Sequence, residues 1–366
     1  ILQDVSWVRP GKSTEEWITS RLLYGVPFVS GLNTATYRYL IDFAADYQLG
    51  YMMFDAGWSS PDDLFQRNPD IDMPALVAYA KTRGVGIILW NLAMTFDRQM
   101  DTALDQYAAW GVKGILVDFM DRDDQQMVRF YERVAREAAK RKLIVNFHGA
   151  YKPTGMQRAF PNMLTRESVL GHEYDMWSDR VTPDHALTIP FVRMQAGPMD
   201  FEGGSMNNGT RKDFRVVFER PMNQGTRTQA LAQYVLYDSP LQYLGGTASD
   251  YRAVPDFTRV LAAVPTTWDE TRALQGKVGD YLVVARRSGR DWWLAAMTDW
   301  TPRELDVPLS FLATGARYDA TIVADGLNAD RYAGDYVIRR DSASAGGTLH
   351  LRLAPGGAYV AHLTPR

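Results

Sequence analysis

The sequence predicts an α/β fold, a (β/α)8 TIM barrel over residues 1–265 followed by a C-terminal all-β sandwich over residues 272–366. Three observations carry that prediction. Short apolar strand-like runs alternate with helix-like segments through the first two-thirds of the chain, which is the pattern of a parallel sheet buried on both faces. Polar residues stand at the ends of those runs, namely Asp55, Asn91, Asp118, His148 and Glu167. A closed barrel gathers such positions at one mouth, whereas an open sheet spreads them along an edge. After about residue 260 the helical periodicity stops, and short apolar runs separated by turn residues take over.

Val5-Ser6-Trp7-Val8 reads as the first strand. A helix over 34–48 follows, with Tyr37, Leu40, Ile41 and Ala44 at helical spacing and Asn33 or Thr34 as its cap. Tyr51–Phe54 is the second strand, and Pro74–Arg83 is a helix ended by Gly84. Val85–Trp90 is the third strand, and a helix over 97–110 leads to the fourth, Lys113–Asp118. Next comes a long helix with Met127, Phe130, Tyr131, Val134 and Ala138 on one face. Leu143–Phe147 and Met163–Arg166 are the fifth and sixth strands. In the last part Tyr281–Ala285, Trp292–Ala296 and Leu349–Leu353 are strands, with turns at Ser288–Asp291 and Pro355–Gly357. No Gly-rich phosphate loop follows the first strand, which argues against a dinucleotide fold.

A net charge of −3 argues against nucleic acid as a partner and offers no electrostatic handle for a membrane. No apolar run is long enough to span a bilayer. With no cysteine, disulfides and thiolate chemistry are excluded. The chain starts at Ile1-Leu2-Gln3-Asp4 without a visible signal peptide, and we expect a periplasmic or secreted protein. Ten Trp, 19 Tyr and 15 Phe suit a protein that stacks sugar rings, although most such side chains in any protein fill the core.

Asp118 closes the run Gly114–Val117 and belongs to its strand, so it is expected to face the barrel mouth. Asp121, Asp123 and Asp124 behind it fit a helix N-terminus instead. Glu167 and Glu173 bracket Gly171 beyond the sixth strand, where loop carboxylates suit either Ca²⁺ or an ion pair with Arg166 or Arg180. His148 is either a satisfied core histidine or a substrate contact. Asp55 either grips sugar hydroxyls, with Trp58 stacked on a ring, or forms an Asx-turn. Two carboxylates at one barrel mouth are the equipment of a glycosidase.

Many ordered stretches resemble glycoside hydrolase family 97. They include Pro10-Gly11-Lys12, Tyr24-Gly25-Val26, Ile41-Asp42-Phe43-Ala44-Ala45, Asp55-Ala56-Gly57-Trp58 and Val117-Asp118-Phe119-Met120-Asp121. Asn146-Phe147-His148-Gly149-Ala150, Arg166-Glu167, Glu173-Tyr174, Gln224-Gly225-Thr226-Arg227 and Asp325-Gly326-Leu327-Asn328-Ala329-Asp330 continue the series. The resemblance implies a catalytic barrel, a C-terminal β-sandwich, a catalytic Ca²⁺ and an N-terminal β-sandwich domain. This stretch carries no such N-terminal domain, and contact with one is expected.

In the inverting branch a Glu follows the histidine at the end of strand five; here that place is Gly149. In the retaining branch an Asp ends strand four; here it is Asp118. The resemblance therefore implies a retaining exo-acting enzyme on terminal α-galactosides. Asp118 would be its nucleophile, Glu173 its general acid/base, and Glu167 and Glu173 its calcium ligands. From their positions at or beyond the strand ends, Asp55, Trp58, Asn91 and His148 are expected to contact the sugar. Alternatives are a β-L-arabinopyranosidase, an α-glucosidase or a non-catalytic carbohydrate-binding module. Residues 202–212, Glu202-Gly203-Gly204 through Lys212, depart from the family's Asp-Phe-Thr-Pro-Gly pattern after the seventh strand, and an altered substrate preference is expected.

Overall fold

A computed structural model describes residues 2–366 of the chain. Its contacts divide into two compact units. One comprises Ile1–Gly171, Ala196–Glu202 and Ser239–Ser249; the other comprises His172–Gln195, Gly203–Asp238 and Asp250–Arg366.

The first unit is the parallel barrel. Its strands are β1 (Gly11–Thr14), β2 (Gly50–Phe54), β3 (Gly86–Leu92), β4 (Gly114–Asp118), β5 (Ile144–Phe147) and β6 (Met163–Arg166), joined by a last strand at Leu241–Leu244. They form one sheet in the order β6-β5-β4-β3-β2-β1 and then Leu241–Leu244, every pair parallel. Between β6 and Leu241–Leu244 in the chain, a seventh strand is reduced to one parallel bridge, Arg166 to Met199. Gly197, at φ +131°, and Pro198, which has no amide hydrogen, stop that ladder from extending.

The helices are α1 (Thr34–Asp46), α2 (Met73–Thr82), α3 (Ala93–Trp110) and α4 (Gln125–Lys140). Asn33, Asp72 and Asp124 cap α1, α2 and α4 by accepting backbone N–H bonds. Asp124 thus fills the helix-terminal role expected of the acids behind Asp118.

Two strand assignments change. Val5–Val8 is a turn, not the first strand, closed by Val8 N–H to Val5 O at 3.0 Å. The Asp4 side chain accepts from Ser6 N–H, and the Trp7 indole donates to Asp4 O, so local bonds compete with strand pairing. Trp7 and Val8 instead pack against the barrel's interior cluster. The second change is in β3, which runs two residues past Trp90, to Leu92.

Strand parity sets what faces the barrel axis, because alternate side chains share a face. The interior cluster contains Tyr51 and Met53 of β2, Ile88 and Trp90 of β3, Leu116 of β4, Ile144 of β5, and Leu241 and Tyr243. Two residues further along these rows come Asp55 and Asp118; four beyond Ile144 comes His148.

The second unit contains the all-β domain. A six-stranded antiparallel sheet runs in the order Glu270–Lys277, Tyr281–Ser288, Asp291–Thr298, Ala358–Pro365, Arg317–Asp325, Tyr336–Ser344. Arg303–Pro308 pairs with Thr348–Leu353 as a second sheet. One apolar core joins both, with Val283, Trp292, Leu294 and Ile322 from the large sheet meeting Val307, Leu351 and Leu353 from the small one. No helix among the described residues is long and apolar enough to cross a membrane.

Candidate functional site

Asp118 is the last residue of β4, half-buried, and its carboxylate is held at both oxygens. Oδ2 accepts from the Trp90 indole N–H at 2.9 Å, and Oδ1 accepts from the Phe119 backbone N–H at 2.6 Å. Phe119 has φ +58°, left-handed backbone that is costly for a residue with a side chain and that accumulates at functional sites. The donor on β3 was not legible from sequence, because ending that strand at Trp90 hid its inward direction.

Beside β4, His148 follows β5 and is 7% exposed. Its Nε2 lies 2.7 Å from Asp200 Oδ2 and 3.8 Å from Glu202 Oε1. Asn146 Nδ2 donates to the same Asp200 oxygen at 2.8 Å and to the Tyr243 hydroxyl at 3.3 Å. Burial alone pushes an imidazole toward neutrality. Glu167, Asp200 and Glu202 overcome that penalty and hold His148 well above its ordinary range. Glu167 follows β6, with one oxygen accepting the Gly149 N–H at 2.8 Å. Arg166, just before it, lies over the rings of Tyr131 and Tyr151 at 4.3 and 4.7 Å and anchors the strand end from outside.

Asp200 and Glu202 were not anticipated. A strand of one bridge gives no apolar run to reveal it, so the usual signal for a strand-end carboxylate is missing. Glu202, at the start of the 202–212 stretch, brings a second carboxylate to His148. It is held at φ +57° and is 6% exposed.

A third group lies at the end of β1. Glu15 and Glu16 are 2% and 1% exposed, and Asp55 is 9% exposed. Glu16 Oε1 accepts from the Tyr37 hydroxyl at 2.7 Å and from the Asp55 N–H at 3.2 Å. Glu15 Oε2 accepts the Trp17 N–H at 2.9 Å. Burial first, then repulsion from Glu16 and Asp118, pushes Asp55 well above the carboxylate range and favours its proton-bearing, donor form. Placing the first strand at Val5–Val8 hid Glu15 and Glu16 from the sequence reading.

Glu173 belongs to the second unit, on a 3-10 turn at His172–Met176, and is half-buried. His172 and Asp175 anchor that turn, both fully buried with Nδ1 and Oδ2 2.7 Å apart; Asn223 Nδ2 also lies 2.7 Å from the same Nδ1.

Two expected sugar contacts are enclosed instead. Trp58 is 1% exposed, gives its indole N–H to Trp90 O at 2.9 Å and packs on Tyr107, so it offers no ring face. Asn91 is fully buried on the outer face of β3, donating to Leu89 O at 2.7 Å and accepting from the Tyr107 hydroxyl at 2.7 Å. Both hold the barrel wall.

Gly149, after His148, has φ +53°. A Cβ there would sit 3.0 Å from Asp121 Oδ1 and 3.1 Å from Phe119 Cα, so this place is closed to a longer side chain without rearrangement. The barrel thus offers a fixed carboxylate at β4 and no carboxylate directly after the histidine of β5.

Two family models match the chain, glycoside hydrolase 97 over residues 17–169 and glycosyl-hydrolase 97 C-terminal, oligomerisation, over residues 267–364. The chain belongs to glycoside hydrolase family 97. Within that family it is similar to a retaining α-galactosidase of Bacteroides thetaiotaomicron, 43% identical over 98% of this chain and 55% of that protein. A probable retaining α-galactosidase of Streptomyces bingchenggensis is 34% identical over 98% of this chain and 53% of its own length. A solved glycoside hydrolase family 97 enzyme from Pseudoalteromonas sp. strain K8, in complex with acarbose, superposes with a TM-score of 0.89 at 31% identity, over 99% of this chain and 61% of that one. A solved β-arabinopyranosidase superposes at 0.80 with 27% identity, over 97% of this chain and 56% of that one. The chain therefore spans about half the length of the curated relatives it matches.

The family implies calcium. The donor set on β5, β6 and the rudimentary seventh strand fits a hard cation, being rich in carboxylate oxygen. Ligand atoms of His148, Asp200 and Glu202 lie within 4.8 Å of one another, and Asp200 Oδ1 is buried without a hydrogen-bond partner.

Proposed function

We propose that this family 97 chain carries the catalytic barrel of a retaining exo-glycosidase that hydrolyses terminal α-galactosides. The observation that carries the reading is Asp118, a strand-end carboxylate fixed by Trp90 and the Phe119 N–H, in a chain whose position after His148 is a glycine. The 43% identity to a retaining α-galactosidase supports the same branch.

In the proposed reaction an Asp118 oxygen bonds to the anomeric carbon as the glycosidic C–O bond breaks, and Glu173 gives a proton to the departing oxygen. Glu173 then takes a proton from water, the water oxygen bonds to the anomeric carbon, and the ester bond to Asp118 breaks. Two displacements return the starting anomeric configuration. Hydrogen bonds to both Asp118 oxygens orient the carboxylate and lower its reorganisation cost. Asp55, favoured in its donor form, and His148 are assigned to sugar hydroxyls. Calcium, where bound, would be held by the carboxylates of Glu167, Asp200 and Glu202 around His148 and would supply positive charge that orders them; Glu173, the further ligand the resemblance implies, is assigned to the ion's shell by that resemblance alone.

The likeness to a β-arabinopyranosidase supports a second reading. A β-L-arabinopyranoside shares the galacto arrangement at its corresponding ring carbons and lacks only the exocyclic carbon. The test is NMR of the first-formed anomer across a panel of aryl glycosides, repeated with Asp118→Asn. Retained α-galactose, lost in the variant, is the expected result. Inverted product, or turnover undiminished in the variant, rejects Asp118 as nucleophile; saccharide binding without turnover favours a carbohydrate-binding module.

A further inference from the structure

The 3-10 turn that carries Glu173 also carries an aromatic surface. Tyr174 follows Glu173 directly, and Trp177 lies four residues on, 47% exposed. Their ring centroids are 5.3 Å apart, edge to face. Phe218, 52% exposed, extends the row, with its centroid 6.4 Å from that of Trp177. All three belong to the second unit.

These rings are presented by an anchored backbone. Trp177 and Ser178 N–H both return to Tyr174 O, at 3.2 and 2.8 Å. Gln224 Nε2 holds Asp179 O at 2.7 Å. The loop that brings Phe218 is pinned by Arg220, whose guanidinium makes two bonds to Asp250 at 2.7 and 3.2 Å. Val216 and Val217, 47% and 37% exposed, lie in the same loop. The contiguous exposed rings of Trp177 and Phe218, continued by Tyr174, are apolar surface of the kind that serves binding. Asp179, Arg180, Arg215 and Glu219 are exposed nearby in sequence and supply hydroxyl-bonding groups.

We infer that Tyr174, Trp177 and Phe218 form the subsite for the leaving group, and that its occupant is a pyranose ring of an oligosaccharide. The inference rests on the reading of Glu173 as the acid/base. A general acid must touch the glycosidic oxygen, so the departing sugar lies on its side of the bond cleaved. Tyr174, on the turn, and Trp177, one residue past its end, share the backbone segment that carries Glu173, which on this reading brings them to the departing sugar's side. Flat aromatic faces stack on the C–H faces of a pyranose whatever its hydroxyl pattern. This subsite therefore selects for a ring in the leaving group, not for one linkage or epimer.

The test compares two substrates that share the cleaved sugar, an α-galactosyl disaccharide and α-galactosyl fluoride, whose leaving group has no ring to stack. For Trp177→Ala and Phe218→Ala the disaccharide should lose about 10- to 100-fold in kcat/KM, while the fluoride stays within about twofold. Trp177→Phe should recover part of the loss. Equal losses on both substrates, or none on either, overturn the assignment. If the unaltered chain hydrolyses neither substrate, the functional reading has failed separately. Titration of the disaccharide against Trp fluorescence then decides: binding lost in Trp177→Ala supports the subsite, and binding unchanged or absent overturns it.

Discussion

The Trp90 indole N–H donates to Asp118 Oδ2 at 2.9 Å, tying the third strand to the fourth where the barrel ends. Trp90 also accepts, through its carbonyl, the indole N–H of Trp58. The outer tryptophan thus braces the strand that aims the inner one. A hydrogen bond to a charged group contributes roughly 1.5–3 kcal/mol. Trp90→Phe keeps most of the ring and removes the donor. It should lower kcat by about 10- to 100-fold with a small change in KM, since the carboxylate is freed to rotate away from its attacking position. Steady-state kinetics with an aryl α-galactoside checks this; an unchanged kcat would show that the Phe119 N–H alone suffices.

Gly149 is constrained from two sides. Its left-handed φ of +53° disfavours any side chain, and a Cβ would crowd Asp121 Oδ1 and Phe119 Cα at 3.0 and 3.1 Å, so those neighbours would have to shift. Gly149→Ala should cost on the order of 2–3 kcal/mol, combining the left-handed penalty with overpacking. Gly149 also donates its N–H to Glu167, so the variant should disturb Glu167 as well. Denaturant unfolding measures the first effect. A variant as stable as the parent would mean that the β4 and β5 loops yield easily.

Much of the barrel was legible because strand burial is written in apolar runs bounded by glycines and caps, as at Gly114–Asp118 and Asp124. Strand-end polarity then named Asp55, Asp118, His148 and Glu167 at positions that the structure puts at or just past strand ends. What was hidden had a local cause in each case. A self-capped turn at Asp4–Val8 displaced the first strand and with it Glu15 and Glu16. A one-residue error in parity is enough to exchange inside and outside, which is why Asn91 was offered for the mouth in place of Trp90. Asp200 sits beyond a strand too short to leave any pattern.

Calcium gives a test that does not need turnover. A ligand that binds only the folded state stabilises it by about 2.7 kcal/mol at a hundred times its dissociation constant. Thermal unfolding in excess calcium should therefore occur at a higher temperature than in chelator. Glu167→Gln should shrink that difference by removing a charged ligand oxygen. Equal responses in parent and variant would remove Glu167 from the ligand set.

The β-sandwich has its own titrating group. Asp325 ends the strand Arg317–Asp325, is 8% exposed, and its Oδ2 accepts the Ala354 and Ala358 N–H groups at 2.9 and 3.0 Å. Burial raises its pKa to about 6, against hydrogen bonds that pull it down, from an ordinary value of 3.8. The folded chain therefore binds this proton more tightly than the unfolded chain does. Its contribution is fully present below about pH 4 and is lost as pH rises through 6, a change of about 3 kcal/mol for this group alone. Asp325→Asn cannot titrate and should remove that slope. The melting temperature of the parent, minus that of the variant, should be larger at pH 4.5 than at pH 7.5. Parallel curves across that range would show that Asp325 keeps an ordinary pKa in the folded domain.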